Sequence, residues 1–308
     1  MRVIVTGATS FIGKAVTEEL LAAGCSVFAV VRPKSPGREA LEALGGRLAL
    51  VPMELKDIGA IDRYPGLDGR GDLWLHLGWE GAGSANRQDP GIQARNIGYA
   101  LDALEAARRL GCSRFLFSGS QAEYGIADGI MSEDIPCHPV SEYGKDKLEV
   151  CRQAQAASGA LGITYLHARI FSVYGPGDHP WSLISTCLDT FLKGGHMELG
   201  ECTQQWNFLH VRDAARALAA LLLAKAPSGV YNVAGEDTRP LREYIEELHR
   251  LCGGRGTYEY GKRPPNAEGV VSLTPDTQKL RRAAGFSPEI SFEDGIREMI
   301  GIYKENCL

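Results

Sequence analysis

The chain has 308 residues, 44% hydrophobic and 23% charged, with a formal net charge of −5, as in ordinary globular proteins long enough for one large α/β unit or two lobes. Net acidity and scattered basic residues leave no footprint for nucleic acid or an anionic membrane, and no stretch approaches the roughly 20 apolar residues of a membrane span. The cysteines at 25, 112, 137, 151, 187, 202, 252 and 307 are dispersed with no C-x-x-C spacing, so they read as reduced thiols, not as disulfides or a metal site.

The N-terminus runs straight into a strand with no secretory leader, which predicts a cytoplasmic protein. Residues 3–5 are β-branched, and a turn, Thr6-Gly7-Ala8-Thr9-Ser10-Phe11-Ile12-Gly13, leads to a helix pattern over 14–23. Strand, glycine turn and helix together are the context of a dinucleotide site. Gly7 allows the tight turn, and Gly13 lets the helix approach the strand. The helix start at Ser10, Phe11 and Ile12 offers free N–H groups and a partial positive charge to a pyrophosphate.

A second strand is expected over 26–31. In a dinucleotide fold its C-terminal end meets the adenosine ribose, where an acidic residue selects NAD. Here Val31 is followed by Arg32, with Lys34 and Ser35 just beyond. A guanidinium suits a 2′-phosphate, so the expected cofactor is NADP(H), with NAD(H) as the alternative. The third strand, 48–52, leads to Glu54 and Leu55 at the expected adenine edge. The fourth, 72–78, is nearly all apolar, as a strand buried on both faces is, and His76 inside it reads as a core histidine. Leu77, Gly78 and the loop from Trp79 to Gly83 stand at its C-terminal end, where open parallel sheets bind ligands. A long helix over 89–110 follows.

The fifth strand, 113–117, ends in Ser118-Gly119-Ser120-Gln121-Ala122-Glu123-Tyr124-Gly125. The next helix runs to about residue 158 and carries Tyr143 and Lys147 near its start. Residues four apart share a helical face. A cation beside a phenol favours the phenolate and lowers its pKa from about 10, so the pair makes a proton donor. The sixth strand, 164–170, leads to Ser172 and onward to Asp178-His179. Strict alternation then ends. A strand over 206–211, an alanine-rich helix over 212–224, a strand over 229–233 and two helix patterns around Arg263-Pro264-Pro265 complete the chain. The expected fold is α/β, a Rossmann doubly wound parallel sheet with a smaller α/β substrate lobe at the C-terminus. Residues 1–172 and about 205–235 form the dinucleotide-binding domain, and about 173–204 and 236–308 the lobe.

These motifs, with Asn96, Arg169, Tyr174-Gly175-Pro176-Gly177, Asn207-Phe208-x-x-Val211-x-Asp213 and Tyr231-Asn232-Val233, make the chain resemble an extended short-chain dehydrogenase/reductase over nearly its full length. The group it resembles comprises the NAD(P)-dependent epimerases, dehydratases and reductases of nucleotide sugars. The resemblance implies that Tyr143 is the acid/base on a sugar oxygen and that Ser120 bonds that oxygen. It implies that Lys147 holds the nicotinamide ribose and poises Tyr143, and that Asn96 belongs to the cofactor set. As the carbonyl carbon is reduced its oxygen gains negative charge, and Tyr143 supplies the proton. The resemblance also implies a homodimer paired through the helices at 90–110 and 143–158.

Departures from the pattern refine the expectation. Ser10 replaces a glycine of the turn, and its hydroxyl suits a phosphate. Gln121 and Ala122 stand where dehydratases carry the Asp-Glu pair that removes water, which disfavours a 4,6-dehydratase. Trp206 replaces an arginine at a position that either touches substrate or packs, and Ser172 replaces an asparagine, which weakens a substrate contact. His179, beside Asp178, is a candidate second acid or base. Trp79, Gln121 and Glu123 are candidate contacts to the sugar, and Arg263, with His210, supplies charge for a diphosphate. The reading is a reductase of a nucleotide-linked 4-keto-6-deoxysugar. A redox-neutral 4-epimerase with tightly held NAD+ is the first alternative, and a dinucleotide-sensing regulator without turnover is the second.

Overall fold

The computed structural model describes residues 1–67, 69–264 and 269–306; Pro265 and Cys307 lie outside them. The chain opens with β1 (Arg2–Thr6), α1 (Phe11–Ala22), β2 (Ser26–Val31), α2 (Arg38–Glu42), β3 (Leu48–Pro52) and β4 (Leu73–His76). It continues with α3 (Pro90–Arg109), β5 (Arg114–Ser120), α4 (Glu142–Leu161), β6 (Thr164–Ile170), β7 (Ser172–Tyr174), α5 (Leu183–Leu192) and β8 (His196–Glu198). Then come β9 (Gln205–His210), α6 (Val211–Leu223), β10 (Gly229–Val233), β11 (Thr238–Pro240), α7 (Leu241–Leu251), β12 (Thr257–Glu259), α8 (Gln278–Ala284) and α9 (Phe292–Asn306).

Seven strands form one parallel sheet in the order β10-β6-β5-β4-β1-β2-β3. Alternation of side chains along each strand feeds two cores. Val3, Val5, Leu73 and Leu75 pack with α1 and α6 on one face, and Ile4, Trp74, Phe115 and Phe117 pack with α3 and α4 on the other. Burial on both faces explains the uninterrupted apolar runs of β1 and β4. The strand order reverses between β1 and β4, so the C-terminal ends of these two strands open the crevice where doubly wound sheets hold ligands.

Helix starts follow from capping chemistry. Asp89 accepts from Ile92 N at 2.9 Å with Pro90 next in line, and Ser141 accepts from Gly144 N at 3.2 Å; each satisfies a backbone donor that has no partner within the helix.

The second lobe departs from the sequence expectation in detail. β9 joins β7 and β11 in a separate three-stranded sheet, and β8 pairs with β12, so residues 205–210 leave the main sheet. Among the described residues the C-terminal part holds three helices rather than two patterns, and Leu280 and Phe286 pack into the main core. Strands of three residues, such as β7 and β12, show no period that a sequence reading can detect. Among the described residues, no helix is long and apolar enough to cross a membrane. All seven described cysteines are free thiols, and neither α3 nor α4 exposes a large apolar side chain.

Candidate active site

The turn after β1 is built by close approach. Gly7 has φ +70°, and a Cβ there would lie 2.8 Å from the Leu77 carbonyl carbon; a Cβ on Gly13 would lie 2.1 Å from Gly7 O. Ser10 caps α1, its Oγ accepting from Gly13 N at 3.1 Å. Above this turn lies a cavity of about 550 Å³ lined by Gly7, Ser10, Arg32, Glu54, Leu55, Leu77, Gly78 and Trp79, with His179 reaching it from the loop after β7. Arg32 is exposed, and its guanidinium has no ion-pair partner among the described residues. Ser35 Oγ donates to Thr9 Oγ1 at 2.8 Å and ties the loop after β2 to the turn.

Ile12 packs its side chain on the core, so it is the backbone that is available to a ligand. One expected cofactor contact is corrected. Asn96 is buried, and its amide grips both backbone groups of Glu80: Oδ1 accepts from Glu80 N at 2.7 Å and Nδ2 donates to Glu80 O at 3.1 Å. Asn96 therefore shapes the loop after β4 and does not face the cavity. Phe11 lines a neighbouring cleft with Lys14, Gly177 and Arg212.

Trp79 joins this cavity to Tyr143 and Lys147. Its ring lies 4.0 Å from Lys147 Nζ and meets the Tyr143 ring edge-on at 5.9 Å, while its Nε1 donates to Gln93 at 2.8 Å. The Arg87 guanidinium covers the other side of Tyr143 at 4.3 Å. Lys147 is buried, and Nζ donates to Ser118 O at 2.6 Å. Burial pulls its pKa down to about 7, with Glu123 opposing that fall and Arg87 adding to it. His76 is the core histidine expected: burial and the nearby Lys147 push it down to about 3, and it stacks on Phe117.

Ser120 ends β5 and caps the single turn Gln121–Glu123, its Oγ meeting Ala122 N at 3.2 Å. This turn packs so closely on α4 that a Cβ on Gly144 would lie 2.4 Å from Ala122 O. The expected sugar contact of Glu123 is corrected. Its side chain is wholly buried and bonds Ser120 N at 2.8 Å, His167 Nε2 at 2.8 Å and Arg169 Nε at 2.8 Å. Burial alone would raise its pKa; the charges and hydrogen bonds of His167 and Arg169 win and hold it at about 2. A signal for this was present in the sequence. His167 and Arg169 are two residues apart, hence on one face of β6, and a buried cationic pair calls for a buried carboxylate.

The remaining expected substrate residues lie elsewhere. Gln121 stays half-buried in the turn and Ser172 starts β7. Trp206 packs against the cores around Phe208 and Phe171, and its buried Nε1 has no acceptor among the described residues. Arg263 is exposed, on the loop after β12, its N–H bonded to Leu199 O at 3.0 Å. His179 stacks on the exposed Trp181 at 4.5 Å beside the cofactor turn. His210 is buried at the start of α6, beside Tyr174, away from the surface where Arg263 lies.

Residues 3–234 match the model of the NAD dependent epimerase/dehydratase family. The chain belongs to that family. It is 30% identical over 206 residues to a dTDP-glucose 4,6-dehydratase of Streptomyces niveus, a match spanning 66% of this chain and 61% of that protein. The solved structure of MoeE5 in complex with UDP-glucose and NAD superposes with a TM-score of 0.86 at 28% identity, covering 100% of both chains. DesIV, a dTDP-glucose 4,6-dehydratase from Streptomyces venezuelae with NAD and TYD bound, superposes at 0.85 with 25% identity, over 99% of this chain and 98% of that one.

Proposed function

We propose that this protein is an enzyme that reduces a nucleotide-linked 4-keto-6-deoxysugar with NADP(H). The observation behind this reading is one combination of residues. Ser120, Tyr143 and Lys147 are all present, the two positions after Ser120 carry no carboxylate, and an exposed arginine on the cavity wall follows β2. Dehydration needs an acid and a base beside the catalytic hydroxyl; Gln121 and Ala122 supply neither, although the relatives named above include dehydratases.

The cavity fits a dinucleotide. The Gly7 turn leaves room for a pyrophosphate against the start of α1, and Arg32 suits a 2′-phosphate. When bound, the nicotinamide supplies hydride. Tyr143 then donates its phenolic proton to the sugar oxygen, with Ser120 Oγ as a second donor. Lys147, held by Ser118 O, keeps hydrogens free for a ribose hydroxyl and places its charge beside Tyr143. Arg263 is available for the nucleotide diphosphate. A redox-neutral 4-epimerase is the second reading, favoured by the NAD bound in the solved structures of MoeE5 and DesIV.

Absorbance at 340 nm tests the proposal, with purified protein, NADPH or NADH, a panel of nucleotide 4-keto-6-deoxysugars, and Tyr143→Phe as control. Stoichiometric loss of the NADPH signal, absent in the variant, is the expected result. A flat trace, with NAD+ co-purifying and nucleotide hexoses interconverting, would establish the epimerase instead.

A further inference from the structure

A buried lysine keeps its charge only where something other than water favours the ammonium. Lys147 is buried, and its Nζ donates to Ser118 O at 2.6 Å, with Ser118 Oγ farther off at 3.5 Å. Its other sides meet ring faces. Nζ lies 4.0 Å from the centre of the Trp79 ring and 4.7 Å from that of Phe117. These two rings stand at 70° to each other, and Trp79 meets Tyr143 at 82°, so the ammonium sits in an aromatic corner. Both walls are fixed from behind. Phe117 stacks on His76 and on His167. Trp79 Nε1 donates to Gln93 Oε1 at 2.8 Å, and the wholly buried Gln93 donates in turn to Gly81 O and Asn86 O, both at 2.9 Å. A turned indole would forfeit its bond to Gln93, so the loop after β4 presents a ring face to Lys147.

We propose that Trp79 is a positioning residue of this site, its indole face holding the Lys147 ammonium in place and charged by cation–π attraction. This rests on the reading of Lys147 given above. The quadrupole of the ring attracts the cation, and the attraction grows where water is excluded. A ring face is not a carboxylate, so a ribose hydroxyl can take up the donors of Lys147 without first breaking an ion pair. Other groups act on Lys147 from each element packed around it. Glu123 reaches it from the turn after β5 and Arg87 from the loop after β4, in opposite directions, and His76 on β4 is neutral. Tyr143 and Cys151 lie one turn away on either side along α4. Of the three rings around Nζ, Trp79 is the nearest. Its loss would leave burial and Arg87 to drive Lys147 toward the neutral amine, which no longer polarises Tyr143.

Removing the ring outright would also admit water to Lys147, so the test changes the charge distribution of the ring and nearly keeps its size. In the full-length protein Trp79 is replaced by mono-, di- and trifluorinated tryptophan, each fluorine withdrawing electron density from the ring face. Lys147 is titrated by NMR in protein carrying labelled lysine, its resonance assigned with Lys147→Arg. The midpoint should fall step by step, by about one pH unit over the series. That is a tenfold loss in the charged-to-neutral ratio, the size of a desolvated cation–π contact. The same analogues at the exposed Trp181 should leave it where it is. A midpoint that stays or rises across the Trp79 series, as a purely packing role requires, would overturn the proposal, and so would an equal fall from Trp181. Should the heavier rings prevent folding, the monofluorinated ring decides: a fall supports the proposal and anything else sinks it. The titration needs no substrate, so it stands even if the sugar panel shows no turnover. With turnover, the alkaline limb of kcat/KM should move to lower pH in step with the Lys147 midpoint.

Discussion

Tyr143 sits where three contacts cross: Arg87 over its ring, Trp79 at its edge and Lys147 one helical turn away. These are contacts of the ring, so Tyr143→Phe should keep them while removing the phenolic hydroxyl. Turnover is expected to fall by about 10²–10⁴-fold, with NADPH binding, followed by fluorescence titration, unchanged; a matching loss of binding would mean that the tyrosine holds the cofactor and is not the acid. Arg32 makes a second residue-scale test. Its guanidinium is exposed on the cavity wall without an ion-pair partner among the described residues. Arg32→Ala should raise KM for NADPH about tenfold, the worth of one charge-assisted hydrogen bond, and leave KM for NADH nearly alone. Equal changes for both cofactors would refute a 2′-phosphate contact. Glu123 shows the limit of reading single residues. A carboxylate three positions from Ser120 looks like a sugar ligand in sequence, and only its partners on β6 reveal that it faces inward.

The α4 helix carries Tyr143 and Lys147, and its position depends on the Gly144 approach to Ala122 O. Gly144→Ala should push the helix start away from the Ser120 turn, costing about 1–3 kcal/mol as overpacking does, and should lower kcat more than it raises KM. Ser141→Ala removes only the cap of the same helix. It should cost about 1 kcal/mol with kcat little changed. Urea denaturation and steady-state kinetics on both variants separate the two effects, and equal kcat losses would show that helix stability, not placement, is what matters. The elements of the main sheet were legible in the sequence because each carries its own period and punctuation. β6 and β10 coincide with their expected ranges, and the Asp89 cap stands at the expected start of α3, whereas α1 begins at Phe11, ahead of the pattern expected from residue 14. The expected fifth strand stopped at residue 117, whereas β5 continues through Ser120; polar Ser118 and Ser120 hid the extension. β7, β8, β11 and β12 are three residues each and owe their state to partners distant in sequence. The direction of the Asn96 side chain escapes a sequence reading for a related reason: it depends on how the loop after β4 packs.

Stability of the whole molecule should depend on pH through four buried groups whose shifts oppose one another. His76 is pushed down to about 3. Between its ordinary value near 6.5 and 3, the unfolded chain binds a proton that the folded chain refuses, so stability falls as pH falls. Glu123, held at about 2, gives stability that is present above its unfolded value of about 4.3 and is lost as pH falls through 2. Both groups therefore weaken the fold in acid. On the alkaline side the signs differ. His167, raised to about 9 by Glu123 against the pull of burial, gives stability that is fully present below 6.5 and lost as pH rises through 9. Lys147, lowered to about 7, does the reverse. Its burial cost is complete below 7 and is relieved as pH climbs toward its unfolded value near 10.4. Between pH 7 and 9 these two contributions offset each other, so the melting temperature should be nearly flat there and fall by the equivalent of a few kcal/mol between pH 6.5 and 3. His76→Gln should flatten the acid slope, because the glutamine takes up no proton in either state. Scanning calorimetry of both proteins from pH 3 to 9 checks this. If the acid slope survives His76→Gln undiminished, then the carboxylates, with Glu123 first among them, carry the acid sensitivity of the fold.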